Sequence, residues 1–264
     1  MCRMLLGITS RPTTVMDMFF ADWSKTCNDG FGYWVKTTKN NEYILKAPSN
    51  EVYKTHKGIR SFMLHCRQQT TGDKEPNGNE NHPYLSENNR LLLSHNGHVT
   101  NIEKDTKMLI RLGHKFKSHV DSEFLLHSLE YILQDRKLSV KTIKEWIDWL
   151  NDEHITGSMN VLVLDRTSMD WFAYSDGSIE VMKPIDSNDI FIGSSSYPFG
   201  DIPIFKFDLK TGYAILGNNN KIKIIKDVGR IGYSSTVTKY GYDSKGNYGE
   251  IKNNENMWWS SNWE

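Results

Sequence analysis

Four short stretches of the chain carry residue types that could do acyl chemistry together: Cys2, "HCRQQTTG" at 65–72, "HNGHVTN" at 95–101 and "VDSE" at 120–123. Cys2 leads straight into the apolar run Met4-Leu5-Leu6-Gly7-Ile8, so the first residues read as structure rather than as a frayed end. A thiol attacks as its thiolate and has an ordinary pKa of about 8.5. An α-amino group titrates at roughly 7.7–8.0, nearer to neutrality than lysine. Cysteine is small enough for methionine aminopeptidase to act before it, and with Met1 removed Cys2 would own both groups. The free amine could then serve as general base for its own side chain. Alone this decides nothing, because any residue can follow Met1.

The other stretches are each ambiguous by themselves. "SFMLHCR" reads as a strand ending at Arg67, whose planar fork either binds a carboxylate bidentately or sits in a surface salt bridge. Thr70 and Thr71 behind it offer two hydroxyls. Asn96 and Gly97 end an apolar strand and set a side-chain amide beside a backbone N–H, two donors suited to the oxyanion of a tetrahedral intermediate. The same pair is favoured by type I′ hairpin turns. Asp121 opens a helical pattern, either as its N-cap or as a carboxylate offered to a cationic group. As a set, these residues supply a nucleophile with its own base, an oxyanion pair, an arginine for a carboxylate and a carboxylate for an ammonium. Those are the parts needed to grip an α-amino acid by its head and attack an amide at its far end.

The elements that must position them follow from periodicity. "YILK", "SFMLHCR" and "RLLLSHNG" read as short buried strands. Residues 72–90 are polar and rich in Gly, Pro and Asn, a long loop of the kind that is often functional. "DSEFLLHSLEYIL" has a helical period, and "SVKTIKEWIDWLN" places Ile143, Trp146, Ile147 and Leu150 on one face behind Ser139 as N-cap. Strands return with "MNVLVLD", "DWFAYS", "SIEVMK", "DIFIGSS", "YAILG" and "KIKIIK", and "SDGS" between the second and third reads as a hairpin turn. Strands, then helices, then strands predict an α+β domain with helix layers packed on sheets. Beyond about residue 234 the pattern fades into an Asn-, Ser- and Gly-rich stretch, read either as a loosely packed tail or as one whose Trp258, Trp259 and Trp263 dock on the domain or on a partner.

Composition narrows the field. The 264 residues are enough for a substantial core, and 32 basic residues balance 32 acidic ones, so no bulk charge points to nucleic acid or membrane. Three cysteines (Cys2, Cys27 and Cys66) without CxxC spacing argue against a disulfide scaffold and fit a reducing cytoplasm. No apolar run reaches membrane-spanning length, and Arg11 and Asp17 follow the first apolar stretch too closely for a signal peptide. The nine histidines show neither HxxxH nor paired Cys/His spacing, so no metal site is expected.

With these motifs in order, the chain resembles the class II glutamine amidotransferase domain of the N-terminal nucleophile hydrolases. The resemblance is carried by Met1-Cys2, Asp29-Gly30-Phe31-Gly32, His65-Cys66-Arg67 with Thr70, Thr71 and Gly72, Asn81-His82-Pro83, His95-Asn96-Gly97 with Asn101, and Asp121-Ser122-Glu123. It extends to about residue 230 and includes Gly193-Ser194-Ser195; Asn81-His82-Pro83 lacks the usual spacer, and the tail matches nothing in the pattern. It implies a four-layer αββα sandwich over residues 2–233, followed by a polar tryptophan-containing tail at 234–264. It implies that Cys2 attacks the side-chain amide of L-glutamine, with Asn96 and Gly97 as oxyanion hole. Arg67 would hold the α-carboxylate and Asp121 the α-ammonium. Thr70 and Thr71 would line the pocket, and Gly30 would fall in the glycine-rich loop near the nucleophile. No cofactor is implied, and the expected partner is a separate synthase subunit that receives ammonia. A hydrolase of another γ-glutamyl amide and an idle glutamine-binding module are the alternatives.

Overall fold

Strand β1 (Arg3–Thr13) buries both of its faces, and this decides what must cover it. Met4, Leu6 and Ile8 point one way, into a core shared with Leu92, Leu162, Leu164 and Trp171. Leu5 points the other way, against Phe19, Trp23 and Phe62. A strand with two apolar faces needs a second sheet on one side and a helix on the other, and the computed structural model has both. It describes residues 2–23, 29–48, 53–68, 78–177, 179–185, 187–194, 204–218, 221–231, 240–242, 248–250 and 257–259.

The first sheet has seven antiparallel strands. Its order is β11 (Ile204–Leu209), β9 (Ile179–Pro184), β10 (Ile190–Ser194), β1, β4 (Ile59–Cys66), β2 (Phe31–Thr37) and β3 (Glu42–Ala47). Helix α1 (Val15–Trp23) lies on its outer face through Met16, Phe19 and Trp23. The second sheet also has seven strands: β16 (Met257–Trp259), β13 (Lys221–Ile225), β12 (Tyr213–Asn218), β8 (Trp171–Ser175), β7 (Thr156–Asp165), β6 (Leu91–Thr100) and β5 (Tyr84–Leu85). Its outer face carries α3 (Asp121–Leu133) and α4 (Val140–Asp152), with α2 (Glu103–Arg111) beside them. A small hairpin, β14 (Tyr240–Tyr242) and β15 (Tyr248–Glu250), stands apart from both sheets. The layers are helix, sheet, sheet, helix, and the outer layer on the first sheet is the single short α1.

Both predicted helices form where their period places them. Ser139 caps α4, its hydroxyl accepting from the Thr142 backbone N–H at 3.2 Å while the Thr142 hydroxyl accepts from the Ser139 N–H at 2.9 Å. Ile143, Trp146, Ile147 and Leu150 are all fully buried, each worth about 1.5–3 kcal/mol in transfer terms. The hairpin reading of "SDGS" fails, and so does the turn alternative for Asn96-Gly97. "SDGS" does not turn β8 back on itself: β8 and β9 belong to different sheets, so Asp176 and Gly177 carry the chain across the sandwich. Asn96-Gly97 is not a turn either. It lies inside β6, whose ten residues all pair with β7, and the pairing continues past it to Thr100 opposite Thr156. The tail contributes backbone to the second sheet, as Met257–Trp259 pairs with β13 at its edge. Trp263 lies outside the described residues.

The interior also holds imidazoles. The His65 and His82 rings lie 4.0 Å apart with their planes tilted by 35°, and the His82 ring meets Tyr84 edge-on. Burial holds His65 down to about 3 and His82 well below the ordinary histidine range, and it lowers His95 against the opposing pull of Asp121. Above about pH 6.5 folded and unfolded chains both carry these rings neutral. Below it the unfolded chain takes up protons that the folded chain refuses, so stability falls as pH drops. Urea unfolding at pH 7, 6 and 5 should lose up to about 1.4 kcal/mol per pH unit for each ring, and His82→Phe should remove one ring's share. An unchanged slope in that variant would refute the assignment.

Candidate active site

The end of the first sheet where β1 begins gathers most of the residues singled out above. β1 is the central strand, hydrogen-bonded on one side to β10 and on the other to β4, with Arg3 opposite Cys66 and Met4 opposite both His65 and Ser194. This register sets Cys2, just before β1, beside the residues that follow β4. The Cys2 sulfur donates to the Gln68 carbonyl at 3.1 Å and accepts from the Gln68 N–H at 3.2 Å. The Arg67 N–H donates to the Gly30 carbonyl at 2.8 Å, which joins the start of β2 to the same edge.

The second sheet reaches over through Asn96. Its side-chain amide donates to the Cys2 carbonyl at 2.9 Å and to the Ser194 hydroxyl at 3.0 Å, so one side chain ties β6 to the residue just before β1 and the last residue of β10. Asn160, opposite Asn96 on β7, donates to the Asn96 carbonyl at 3.1 Å and accepts from the Asp176 N–H at 3.0 Å. A side chain at Gly97 would put its Cβ 2.1 Å from the Ser158 carbonyl oxygen, so β6 approaches β7 here as only glycine permits. Neither Gln68 nor Asn160 stands out in the sequence as functional. The signal for Asn160 was an amide inside the apolar run "MNVLVLD".

The glycine-rich segment has a structural reason of its own. A Cβ at Gly30 would stand 2.1 Å from the Asn81 side-chain oxygen, and one at Gly32 would stand 1.9 Å from the His82 carbonyl. The Asn81-His82 segment therefore lies flat on the start of β2, and Asn81 secures it by donating to the Ala47 carbonyl at 2.6 Å.

Arg67 is buried, and its Nη1 donates to Glu80 at 2.8 Å, both side chains being almost inaccessible. The guanidinium has five N–H donors in one plane, so this contact fixes the plane of the fork. Asp121 does not cap its helix. Val120 occupies that position, and the Asp121 carboxylate instead accepts from the Val99 N–H at 2.8 Å and faces His98 Nδ1 at 3.4 Å. It is thereby joined to β6 two residues beyond Gly97, while Cys2, Arg67, Gly30, Asn96 and Ser194 are linked by direct contacts around the end of β1. Thr70, Thr71 and Ser195 lie outside the described residues.

A family model described as a glutamine amidotransferase domain matches residues 65–196. The chain belongs to the glutamine amidotransferase domain family. The matched span of this amidotransferase domain contains Arg67, Asn96, Gly97, Asp121 and Ser194, and starts after Cys2 and Gly30. Among relatives, the isomerizing glutamine–fructose-6-phosphate aminotransferase of Francisella tularensis subsp. tularensis is 26% identical over 234 residues, 81% of this chain and 36% of its own. The chain spans roughly a third of the length of the curated relatives it matches. The glutamine phosphoribosylpyrophosphate amidotransferase structure from B. subtilis superposes with a TM-score of 0.65 at 16% identity, over 86% of this chain and 49% of that one. A structure described as a predicted glutamine amidotransferase from Pseudomonas aeruginosa reaches 0.50 at 12% identity, over 84% and 98%. At such identities the likeness is one of fold: two stacked antiparallel sheets of the kind found in N-terminal nucleophile hydrolase amidotransferases. Among the described residues no helix is long and apolar enough to cross a membrane.

Proposed function

We propose that this amidotransferase domain hydrolyses the side-chain amide of L-glutamine through Cys2, once Met1 is removed. What supports the reading is the bond from the Asn96 amide to the Cys2 carbonyl, which sets the proposed nucleophile beside a side-chain amide that would serve as its oxyanion donor. The Cys2 thiolate would attack the side-chain carbonyl carbon, forming a C–S bond and an oxyanion. Asn96 has both amide hydrogens engaged, on Cys2 and on Ser194. The oxyanion would take over one of them and the Gly97 N–H. Collapse breaks the C–N bond, and the Cys2 ammonium gives the departing ammonia its proton. Water, deprotonated by the same amine, then cleaves the thioester and releases glutamate.

Arg67, its fork set by Glu80, would hold the α-carboxylate, and Asp121 the α-ammonium, with Thr70, Thr71 and Gly30 shaping the pocket. Residues 2–233 would form the amidotransferase unit and 234–264 a tail. The ammonia would pass to a synthase subunit, in keeping with the family. The test is glutamate release from glutamine by the purified chain, alone and with a candidate synthase, against γ-glutamyl conjugates at matched concentrations. Preference for a conjugate would favour the hydrolase alternative, and binding without turnover the idle module.

Arg67→Lys keeps a charge beside Glu80 but gives up the planar fork. It should raise KM for glutamine about tenfold and leave kcat within about twofold, as loss of a ground-state contact does. Steady-state kinetics on the variant check this, and an unchanged KM would remove Arg67 from the substrate grip.

A further inference from the structure

The nine histidines carry no metal-binding spacing along the chain, yet folding brings two of them together with carboxylates from three separate segments. We propose that Glu87, His114 and His127 form a site for a divalent transition-metal ion, with Zn2+ the best fit. The site lies outside the chemistry around Cys2.

His127 is buried in α3, and its Nδ1 stands 3.1 Å from Nδ1 of His114, on the connection between α2 and α3. Ligand atoms at the 2.0–2.1 Å typical of zinc–imidazole bonds stand about 3.3 Å apart in a tetrahedron. The two nitrogens therefore already have the separation that a shared ion demands. A carboxylate oxygen of Glu87, from the turn after β5, and one ring nitrogen each of His114 and His127 all lie within 4.8 Å of one another. Glu87 is held towards the connection by the Lys115 N–H.

The surroundings have the form of a metal site rather than of an isolated polar contact. Glu130, one turn after His127, also reaches His127 Nδ1 at 3.1 Å and could complete a fourth position. On the far side of the ring, His127 Nε2 faces Glu123 at 3.9 Å. Glu123 is itself fixed by the N–H groups of Lys117 and Ser118 and by the Ser118 hydroxyl. A carboxylate behind a ligating imidazole is the usual outer partner that sets its tautomer. Among the described residues neither Glu87 nor Glu130 pairs with a lysine or arginine, so the cluster's negative charge is matched to a cation. Two imidazoles and carboxylate oxygen suit zinc and copper among first-row ions. Bound there, the ion would pin the turn at 86–90 and the α2–α3 connection onto α3.

The test uses the full chain carrying Cys2→Ser, so that the reactive thiol cannot take the metal, stripped with chelator and titrated with Zn2+ by calorimetry. One equivalent should bind with Kd of about 1 μM or tighter. Saturation should raise the melting temperature by roughly 5 °C. Glu87→Gln, at an exposed position, and His114→Gln should each weaken binding by at least about tenfold while leaving the metal-free melting temperature unchanged. Co2+ in place of Zn2+ should give visible bands without thiolate charge transfer. Binding weaker than about 100 μM, unchanged affinity in either variant, or a thiolate band would overturn the site.

Discussion

Cys2→Ala is expected to abolish glutamine hydrolysis, lowering kcat/KM by about 10⁴-fold or more, the scale on which removal of a covalent nucleophile is felt. The same loss should follow when Met1 is retained, because the α-amine is then an amide and can neither take nor give a proton. Stability should change by less than about 1 kcal/mol, since Cys2 is partly exposed and its sulfur bonds to the backbone of Gln68, not to a buried side chain there. Mass spectrometry after treatment with an electrophilic glutamine analogue separates this mechanism from any other thiol. Cys66 is buried with its sulfur against the Trp23 carbonyl and should stay unlabelled. Label on Cys27 or Cys66, with Cys2→Ala still active, would refute the mechanism.

Asn96→Ala should cost about 10²–10³ in kcat with a smaller effect on KM, as loss of an oxyanion donor does. Here the substitution also unties two strands. The Cys2 carbonyl and the Ser194 hydroxyl both lose their partner, which should lower stability by about 1–3 kcal/mol. The two effects separate in Asn160→Ala. That change removes the support of the Asn96 backbone but leaves its side-chain amide, so it should lower stability more than kcat. Kinetics and urea unfolding on both variants decide it; equal kcat losses in the two would make Asn96 a structural tie alone.

What could be read from the sequence was whatever local pattern encodes. The α4 helix was legible because its apolar period and its cap are both local, and α3 because its apolar residues repeat at helical spacing. The four-layer sandwich came through the ordered motifs, since periodicity alone cannot say which strands pair. The "SDGS" hairpin reading and the turn alternative for Asn96-Gly97 fall for one cause. Asp176-Gly177 and Asn96-Gly97 both carry hairpin chemistry, but one pair bridges two sheets and the other lies mid-strand. Long-range pairing overrode the local preference each time. Asp121 looked like a cap because it opens a helix, and only the fold reveals the Val99 N–H that claims its carboxylate. Glu80 and Gln68 were invisible for the same reason, as their partners are fixed by register between distant strands.

That register has a temporal side. β1 is sandwiched between β4, made early, and β10, which supplies Ser194 opposite Met4 about 190 residues later. At about 5–20 residues per second a ribosome needs roughly 10–40 s to cover that distance. Through that interval β1 has one flank without its mate, with its backbone N–H and C=O groups along Met4–Ile8 unpaired on that side. A nascent chain arrested before residue 190 would therefore hold β1, and Cys2 before it, on an open sheet edge, a surface suited to chaperones and to mispairing. The tie from Asn96 to Ser194 can close only once Ser194 has been made, about 190 residues after the Cys2 that the same amide holds.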